Sequence, residues 1–243
     1  MTLSVIIPTL NEQTSLPTVL EVLRKESDVR EIIVVDGGST DATCAIAKER
    51  GAHVVEAARG RGQQLCAGIE IATGSVLWFL HADTVPQEGA PCAILQALED
   101  APEAPGGNFR VVFDGGTPFA EWLNGFYAWL RSHGIYYGDS AIFVRRTVYD
   151  CIGGIRPTAL MEDYEFTRRL ERAGPTLNIE APAVTTSSRR FQDRRPWHIV
   201  LQWVVIHAMY YCRVSGDRMA LHYRSEDHAP EVETRSHSTR VGQ

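Results

Sequence analysis

Four short apolar runs rich in β-branched residues, at positions 4–7, 31–35, 52–56 and 76–80, are separated by stretches long enough for helices. Short runs apolar at nearly every position suit strands buried on both faces. Their alternation with helical lengths predicts a mostly parallel sheet with helices packed on it. Helix punctuation agrees: Thr14 or Ser15 can cap a helix carrying Pro17 in its first turn, and residues 39–41 can cap the next. In an open sheet of this kind ligands bind beyond the carboxyl ends of the strands. The segments that follow the strands are residues 8–12, 36–41, 57–62 and 81–84, and three of these four hold carboxylates. Asp41 reads equally well as a helix cap. Asp36 stands before Gly37 and Gly38, which let a backbone come close to a ligand.

Composition narrows the function classes. At 243 residues, 44% hydrophobic and 22% charged, the chain has the make-up of one globular domain, read as residues 1–224, with a polar, aperiodic and mobile tail over 225–243. A net charge of −6 argues against a nucleic-acid partner, which calls for a broad excess of Lys and Arg. The five cysteines (Cys44, Cys66, Cys92, Cys151, Cys212) are odd in number and dispersed, so neither a disulfide framework nor a zinc site is expected. A reducing cytoplasm fits that usage, and the first apolar run lacks the basic flank of a secretory signal. Neither G-x-G-x-x-G nor G-x-x-x-x-G-K-[ST] occurs after a strand, which weighs against dinucleotide oxidoreductases and P-loop enzymes.

Residues 4–12 (SVIIPTLNE), 34–41 (VVDGGSTD) and 80–84 (LHADT) together resemble the family 2 glycosyltransferases of GT-A fold. The likeness continues through Gly138-Asp139, residues 141–146, Gly153-Gly154, residues 161–166 (MEDYEF) and Arg168-Arg169-Leu170, so it spans about residues 3–224. Within the family it is similar to the short bacterial subgroup found beside radical-SAM and arsenosugar-related genes. The resemblance implies an α/β GT-A domain with a nucleotide-sugar half over about 1–100 and an acceptor and catalytic half over 101–224. It also implies an inverting transfer from a nucleotide-diphosphate sugar, UDP being the family default, to a small-molecule or lipid-linked acceptor, with Mg²⁺ or Mn²⁺.

By the same resemblance, Pro8, Thr9, Glu12 and Asp36 hold the nucleoside, with Asn11 and Gly37 in the donor-binding set. An ionised carboxylate, being acceptor-only, suits ribose hydroxyls or an imide N–H. The family's metal motif, usually Asp-x-Asp, here reads His81-Ala82-Asp83. Asp83 is the implied metal ligand, since one carboxylate with phosphates and waters can hold Mg²⁺ or Mn²⁺. His81 can be a second ligand, a donor to phosphate or a structural histidine. Asp163 is the implied general base, and Glu162 a lesser candidate that can instead orient Asp163 or the acceptor. Acidic residues in a first helical turn also meet the helix dipole without further purpose. Arg61, in the basic segment 59–68, and Arg189 with Arg190 are diphosphate candidates. Cys66, where relatives carry Asn, reads as an inert packed thiol. Asp139 belongs to an acceptor wall beside Ser140, where relatives carry Gln.

Two apolar segments have a plainer reading. Trp122, Phe126, Tyr127 and Trp129 have near-helical spacing, and core packing is expected over a sugar-stacking platform. Residues 196–212 carry no charge apart from histidine and are too short and too interrupted by His198, Gln202 and His207 to cross a bilayer. Packing on the chain's own sheet is the expectation, with an anionic membrane surface or a homodimer interface as alternatives. Sugar-phosphate nucleotidyltransfer is a second enzyme class, but it would show a glycine-rich basic loop after the first strand. A non-catalytic nucleotide-sugar-binding protein is the third, suggested by the His81 and Cys66 departures.

Overall fold

The computed structural model describes residues 1–189 and 195–227. Its first half is the expected βα alternation: β1 (Leu3–Thr9), α1 (Leu16–Leu23), β2 (Val29–Asp36), α2 (Thr43–Glu49), β3 (His53–Glu56), α3 (Arg61–Ile71) and β4 (Val76–Phe79). These strands pair in parallel in the order β3-β2-β1-β4. The second half departs from that rhythm through β5 (Thr84–Pro86), α4 (Ala90–Asp100), β6 (Gly106–Phe113), α5 (Pro118–Ser132), β7 (Phe143–Arg145) and α6 (Arg146–Cys151). It ends with α7 (Glu162–Ala173), β8 (Leu177–Thr186), α8 (Pro196–Tyr211) and α9 (Gly216–Asp227). Here β7 and β5 run antiparallel to their neighbours, so the full sheet, β3-β2-β1-β4-β7-β6-β8-β5, is mixed.

Strand periodicity sorts the core into two layers. Leu3, Val5 and Ile7 of β1, Ile32 and Val34 of β2 and Val76 and Trp78 of β4 join Leu16, Val19, Leu20 and Leu23 of α1 and Ile94 and Leu98 of α4 on one face. Ile6, Ile33, Val35, Leu77 and Phe79 meet Leu65 and Ile69 of α3 and Phe166 and Leu170 of α7 on the other. Successive side chains of a strand point to opposite faces, so strands buried on both sides must be apolar at every position. On the second face, a Cβ at Gly68 would stand 2.6 Å from Ile6 Cγ2 and 2.7 Å from Val35 Cγ2, so the absence of a side chain there sets how closely α3 lies on the sheet.

Several expectations need correction. Ser15 is the residue before α1 but makes no side-chain cap, and its hydroxyl instead accepts from Arg189. Asp41 holds the start of α2 through the amide of Thr43, at 3.0 Å, from two positions upstream. Trp122 and Trp129 are exposed, not core, because α5 turns only Ala120, Leu123 and Arg131 fully inward. α8 does not lie flat on the sheet: Ile206 packs with Met161 and Tyr164 near α7 and with Met219 of α9, and Trp203 stacks on Phe126 of α5. The helix α9 runs to Asp227, so residues 225–227 are helical and not tail, and residues 228–243 lie outside the described residues. No helix among the described residues is long and apolar enough to cross a membrane.

Candidate active site

A cleft of about 1640 Å³ opens beyond the carboxyl ends of β1 and β4, where the sheet's topology places a ligand crevice. Pockets for a single drug-sized ligand run to roughly 300–1,000 Å³, so this space is larger than one such ligand needs. One wing is polar, lined by Pro8, Thr9, Glu12, Arg61, His81, Ala82, Asp83, Glu162, Asp163 and Arg189. The other is aromatic and aliphatic, and includes Phe126, Tyr127, Leu130, Trp203 and Val204.

At the base of the polar wing Arg61, the first residue of α3, ties three segments together. Its Nε donates to Glu162 Oε1 at 2.5 Å, its Nη2 lies 2.7 Å from Asp163 Oδ2, and its Nη1 lies 3.2 Å from His81 Nε2. A guanidinium can only donate, so His81 Nε2 is the lone-pair nitrogen in this arrangement. Glu162 is buried, and the guanidinium satisfies a polar group that would otherwise be costly to bury. Burial opposes ionisation of Asp163, but Arg61 and the amides of Gly138 and Tyr164, at 2.8 and 2.7 Å, outweigh it and hold the carboxyl below its ordinary range. Burial likewise disfavours the charged form of Arg61, and the two carboxylates reverse that and raise it.

Local backbone places this group. Met161 precedes α7 with φ +65°, a left-handed conformation that costs a non-glycine residue about 1–3 kcal/mol. The turn puts Glu162 and Asp163 at the head of the helix, on the cleft. Gly138 closes the arrangement from the opposite side: a Cβ there would meet His81 Nε2 at 2.9 Å, Asp163 Oδ2 at 3.1 Å and Arg61 Nη1 at 3.3 Å.

The polar wing's second carboxylate pair is Glu12 and Asp83. Arg189 Nη2 lies 2.7 Å from both Glu12 oxygens and 3.6 Å from Asp83 Oδ2, so a cation already sits between them. Hydrogen bonding to Glu12, more than its charge or that of Asp83, raises the Arg189 guanidinium further. Asp139 faces the cleft near Gly138 and accepts from the Tyr127 hydroxyl at 2.8 Å.

Three expected donor residues are not brought to the cleft wall. Asp36 is buried and spends its oxygens on the amides of Gly38 and Ser39 and the hydroxyl of Ser39. Burial would raise its carboxyl, and these bonds outweigh that and lower it. Asn11 pins the loops after β1 and β2 together, its side-chain oxygen accepting from the Thr40 backbone amide at 2.8 Å while its own backbone N–H donates to the Ser39 hydroxyl. Gly37 lies under Gln64, whose amide group a Cβ would meet at 3.0 Å. Arg190 lies outside the described residues. Cys66 is half-buried, its thiol 3.3 Å from the Ile155 carbonyl, and does not line the cleft. Gln64 was missed by sequence reasoning: it lines the cleft while its Nε2 donates to the carbonyls of Thr9 and Val35 at 2.8 and 2.7 Å.

Known proteins share this fold. The chain is 27% identical over 223 residues to the "Probable glycosyltransferase YdaM" of Bacillus subtilis, covering 81% of this chain and 52% of that protein. It is 36% identical over 95 residues to glucosyl-3-phosphoglycerate synthase of Mycolicibacterium smegmatis, covering 35% of this chain and 31% of that one. The sequence matches thus reach over about half the length of YdaM and a third of the synthase. Among solved structures, the Mycobacterium tuberculosis glucosyl-3-phosphoglycerate synthase in complex with Mn²⁺, UDP-glucose and phosphoglyceric acid superposes with a TM-score of 0.60 at 20% identity, over 88% of this chain and 80% of that one. S. aureus TarS 1–349 superposes with a TM-score of 0.62 at 17% identity, over 100% of this chain and 76% of that one. These neighbours are glycosyltransferases of GT-A fold, the α/β architecture described above. The profile described as Glycosyl transferase family 2 matches residues 4–157, and the chain belongs to that family.

Proposed function

We propose that the chain is an inverting, metal-dependent glycosyltransferase that takes its sugar from a UDP-sugar. The observation that carries this reading is the meeting of Asp163 with Arg61 and His81 at the base of a cleft whose other polar end is Glu12 and Asp83. The synthase solved with UDP-glucose and Mn²⁺ supports the donor class and the metal as expectations for this relative.

In this scheme Pro8, Thr9 and Glu12 line the nucleoside end, and Arg61 and Arg189 supply positive charge to the diphosphate. Asp36, Asn11 and Gly37 act indirectly, by shaping the loop against which the nucleoside lies. The acceptor hydroxyl enters past Asp139 and attacks the anomeric carbon as the bond from that carbon to the diphosphate breaks. The hydroxyl proton passes to an Asp163 oxygen, and the bonding electron pair leaves with UDP, so configuration inverts in a single displacement. Arg61 keeps Asp163 ionised and aimed. Glu162 holds Arg61.

The chain's own residues fit a divalent cation at Asp83. A guanidinium already lies against the carboxylates of Asp83 and Glu12, which shows that this end of the cleft attracts positive charge. Among the described residues no cluster of three or more ligating side chains occurs, so the fit is to one carboxylate completed by phosphate oxygens and water. When bound there, Mg²⁺ or Mn²⁺ would supply positive charge against the leaving diphosphate.

The test is UDP-sugar turnover with and without Mn²⁺ for the parent, Asp83→Ala and Asp163→Asn, alongside UDP binding by calorimetry. Asp163→Asn should lose about 10²–10⁴ in kcat and keep UDP binding. Asp83→Ala should lose the response to metal. UDP binding with no turnover of any donor would move the chain to a non-catalytic nucleotide-sugar-binding protein, and failure to bind UDP would end the reading.

A further inference from the structure

One face of α8 is apolar and exposed. Trp197, Leu201, Val204, Ala208 and Tyr211 follow at alternating intervals of four and three, a single stripe of the helix, and all five are exposed. Trp197, Leu201 and Val204 keep 57%, 53% and 59% of their surface open, while Ile199, Gln202 and Ile206 on the opposite stripe are buried. The helix therefore satisfies its inner face and leaves an equally apolar outer one.

α5 extends that face. Trp122 and Trp129, two turns apart, are 45% and 56% exposed. Both stack on Phe126, at 5.0 and 6.1 Å between ring centroids, and Phe126 stacks in turn on Trp203 of α8 at 6.2 Å. The two exposed faces are thus joined through one ring. Contiguous apolar surface of this kind on a water-soluble domain marks an interaction site.

Charge and residue type identify the occupant. From Trp197 to Cys212 there is no Asp, Glu, Lys or Arg, and α8 is flanked by Arg195 before it and by Arg213 and Arg218 after it, with Asp217 the one carboxylate within residues 195–225, on a chain whose net charge is −6. Tryptophan beside arginine is the composition of a surface that sits at lipid headgroup level, with rings among the acyl boundary and guanidinium groups on anionic phosphates. A second copy would meet the same patch with itself and set one basic rim against another.

We propose that the α5–α8 face docks this protein on an anionic lipid bilayer. Val204, part of the exposed stripe, also lines the cleft that holds Asp163, so docking sets the cleft's apolar wing beside the membrane. An acceptor carried on hydrocarbon would then reach Asp163 without leaving the bilayer. That consequence, unlike the docking, rests on the transferase reading.

The full chain should be floated with vesicles of phosphatidylcholine alone and of phosphatidylcholine with an equal part of phosphatidylglycerol, with UDP binding measured on the same preparation. The expected result is binding to the anionic vesicles, weakened by high salt and reduced about tenfold or more in Trp122→Ser/Trp129→Ser and in Trp197→Ser/Leu201→Ser. None of these four side chains lines the cleft, so UDP binding should be unchanged and should also report that the variants fold. Arg213→Gln/Arg218→Gln should lose the preference for anionic lipid without touching the apolar stripe. Absence of binding to either vesicle would overturn the proposal, as would a concentration-dependent dimer that the tryptophan variants abolish. Vesicle binding by a parent that does not bind UDP would leave the docking standing and remove the transferase reading instead.

Discussion

The guanidinium of Arg61 lies 2.7 Å from the carboxylate of Asp163, across 102 positions of sequence, and fixes the protonation state of the proposed base. An ionised carboxylate accepts a proton, and a carboxyl held below its ordinary range stays ionised throughout the neutral region. The parent should therefore show no loss of kcat/KM on account of Asp163 until the medium is distinctly acidic. Removing Arg61 leaves burial unopposed by its largest counterweight, so the pKa of Asp163 rises and the acid limb of the profile moves to higher pH. Arg61→Ala should show that movement together with a fall of about 10²–10³ in kcat/KM, the scale of losing a charged group at the reacting centre. An unmoved acid limb in the variant would dissociate Arg61 from the ionisation of Asp163.

The same shift has a consequence for stability. A carboxyl whose folded pKa is depressed contributes stability that is present above its unfolded pKa and is lost as pH falls through the folded one. Asp36 and Asp163 are both in this class. Chemical denaturation should therefore show stability falling from neutral to acid pH, with a weaker fall in Asp163→Asn, which has no proton to take up at that position. Equal slopes for the two proteins would show that the Asp163 ionisation is not linked to folding.

Arg189 predicts two effects of opposite sign. In its ion pair with Glu12 the Arg189 side chain is about half exposed, and such exposed pairs contribute about 0–1 kcal/mol, so Arg189→Ala should barely change the melting temperature. With the guanidinium gone, Asp83 and Glu12 lose a competing cation, and Mn²⁺ affinity measured without donor should rise. The diphosphate loses a positive partner at the same time, and KM for the donor should rise about tenfold. Isothermal titration and initial rates check both, and a fall in Mn²⁺ affinity would place Arg189 outside the cation-attracting end of the cleft.

The structure also separates what was legible in the sequence from what was not. β1, β4 and the second half of β2 were legible because each is apolar at successive positions, the mark of a strand covered on both faces, whereas the edge strand β3 carries only the Val54-Val55 pair between polar ends. β5 and β7, at three residues each, are too short for any period, and their antiparallel pairing is decided by tertiary context. Asp83, Asp163 and Arg61, all singled out from the sequence, line the cleft. Asp36 and Asn11 do not face it, since an acidic or amide side chain after a strand serves a tight turn as readily as a ligand. The spacing of Trp122 and Trp129 establishes that they share a face of a helix. It carries no information on whether that face turns inward, and here it turns out.

Gly138 and Gly68 offer a last, paired prediction, because the same substitution should act on chemistry at one and on folding at the other. A methyl group at Gly138 would meet the functional atoms of His81, Asp163 and Arg61 at 2.9, 3.1 and 3.3 Å, all at the ends of side chains that can shift by a few tenths of an ångström. Gly138→Ala should therefore stay folded and lose about 10–10² in kcat/KM through misplacement of the base. At Gly68 the methyl would stand 2.6 and 2.7 Å from Cγ2 of Ile6 and Val35, branched side chains fixed in the packed sheet. Alanine gains about 1 kcal/mol over glycine in a helix interior, but overpacking a core costs about 1–3 kcal/mol, and with two contacts this short the packing term should win. Gly68→Ala should therefore lower the urea midpoint while leaving kcat/KM close to the parent's in whatever fraction is folded. If it were instead more stable than the parent, α3 would have room to move away from β1 and β2, and the position of Arg61 at its first turn would be less firmly set than the packing implies.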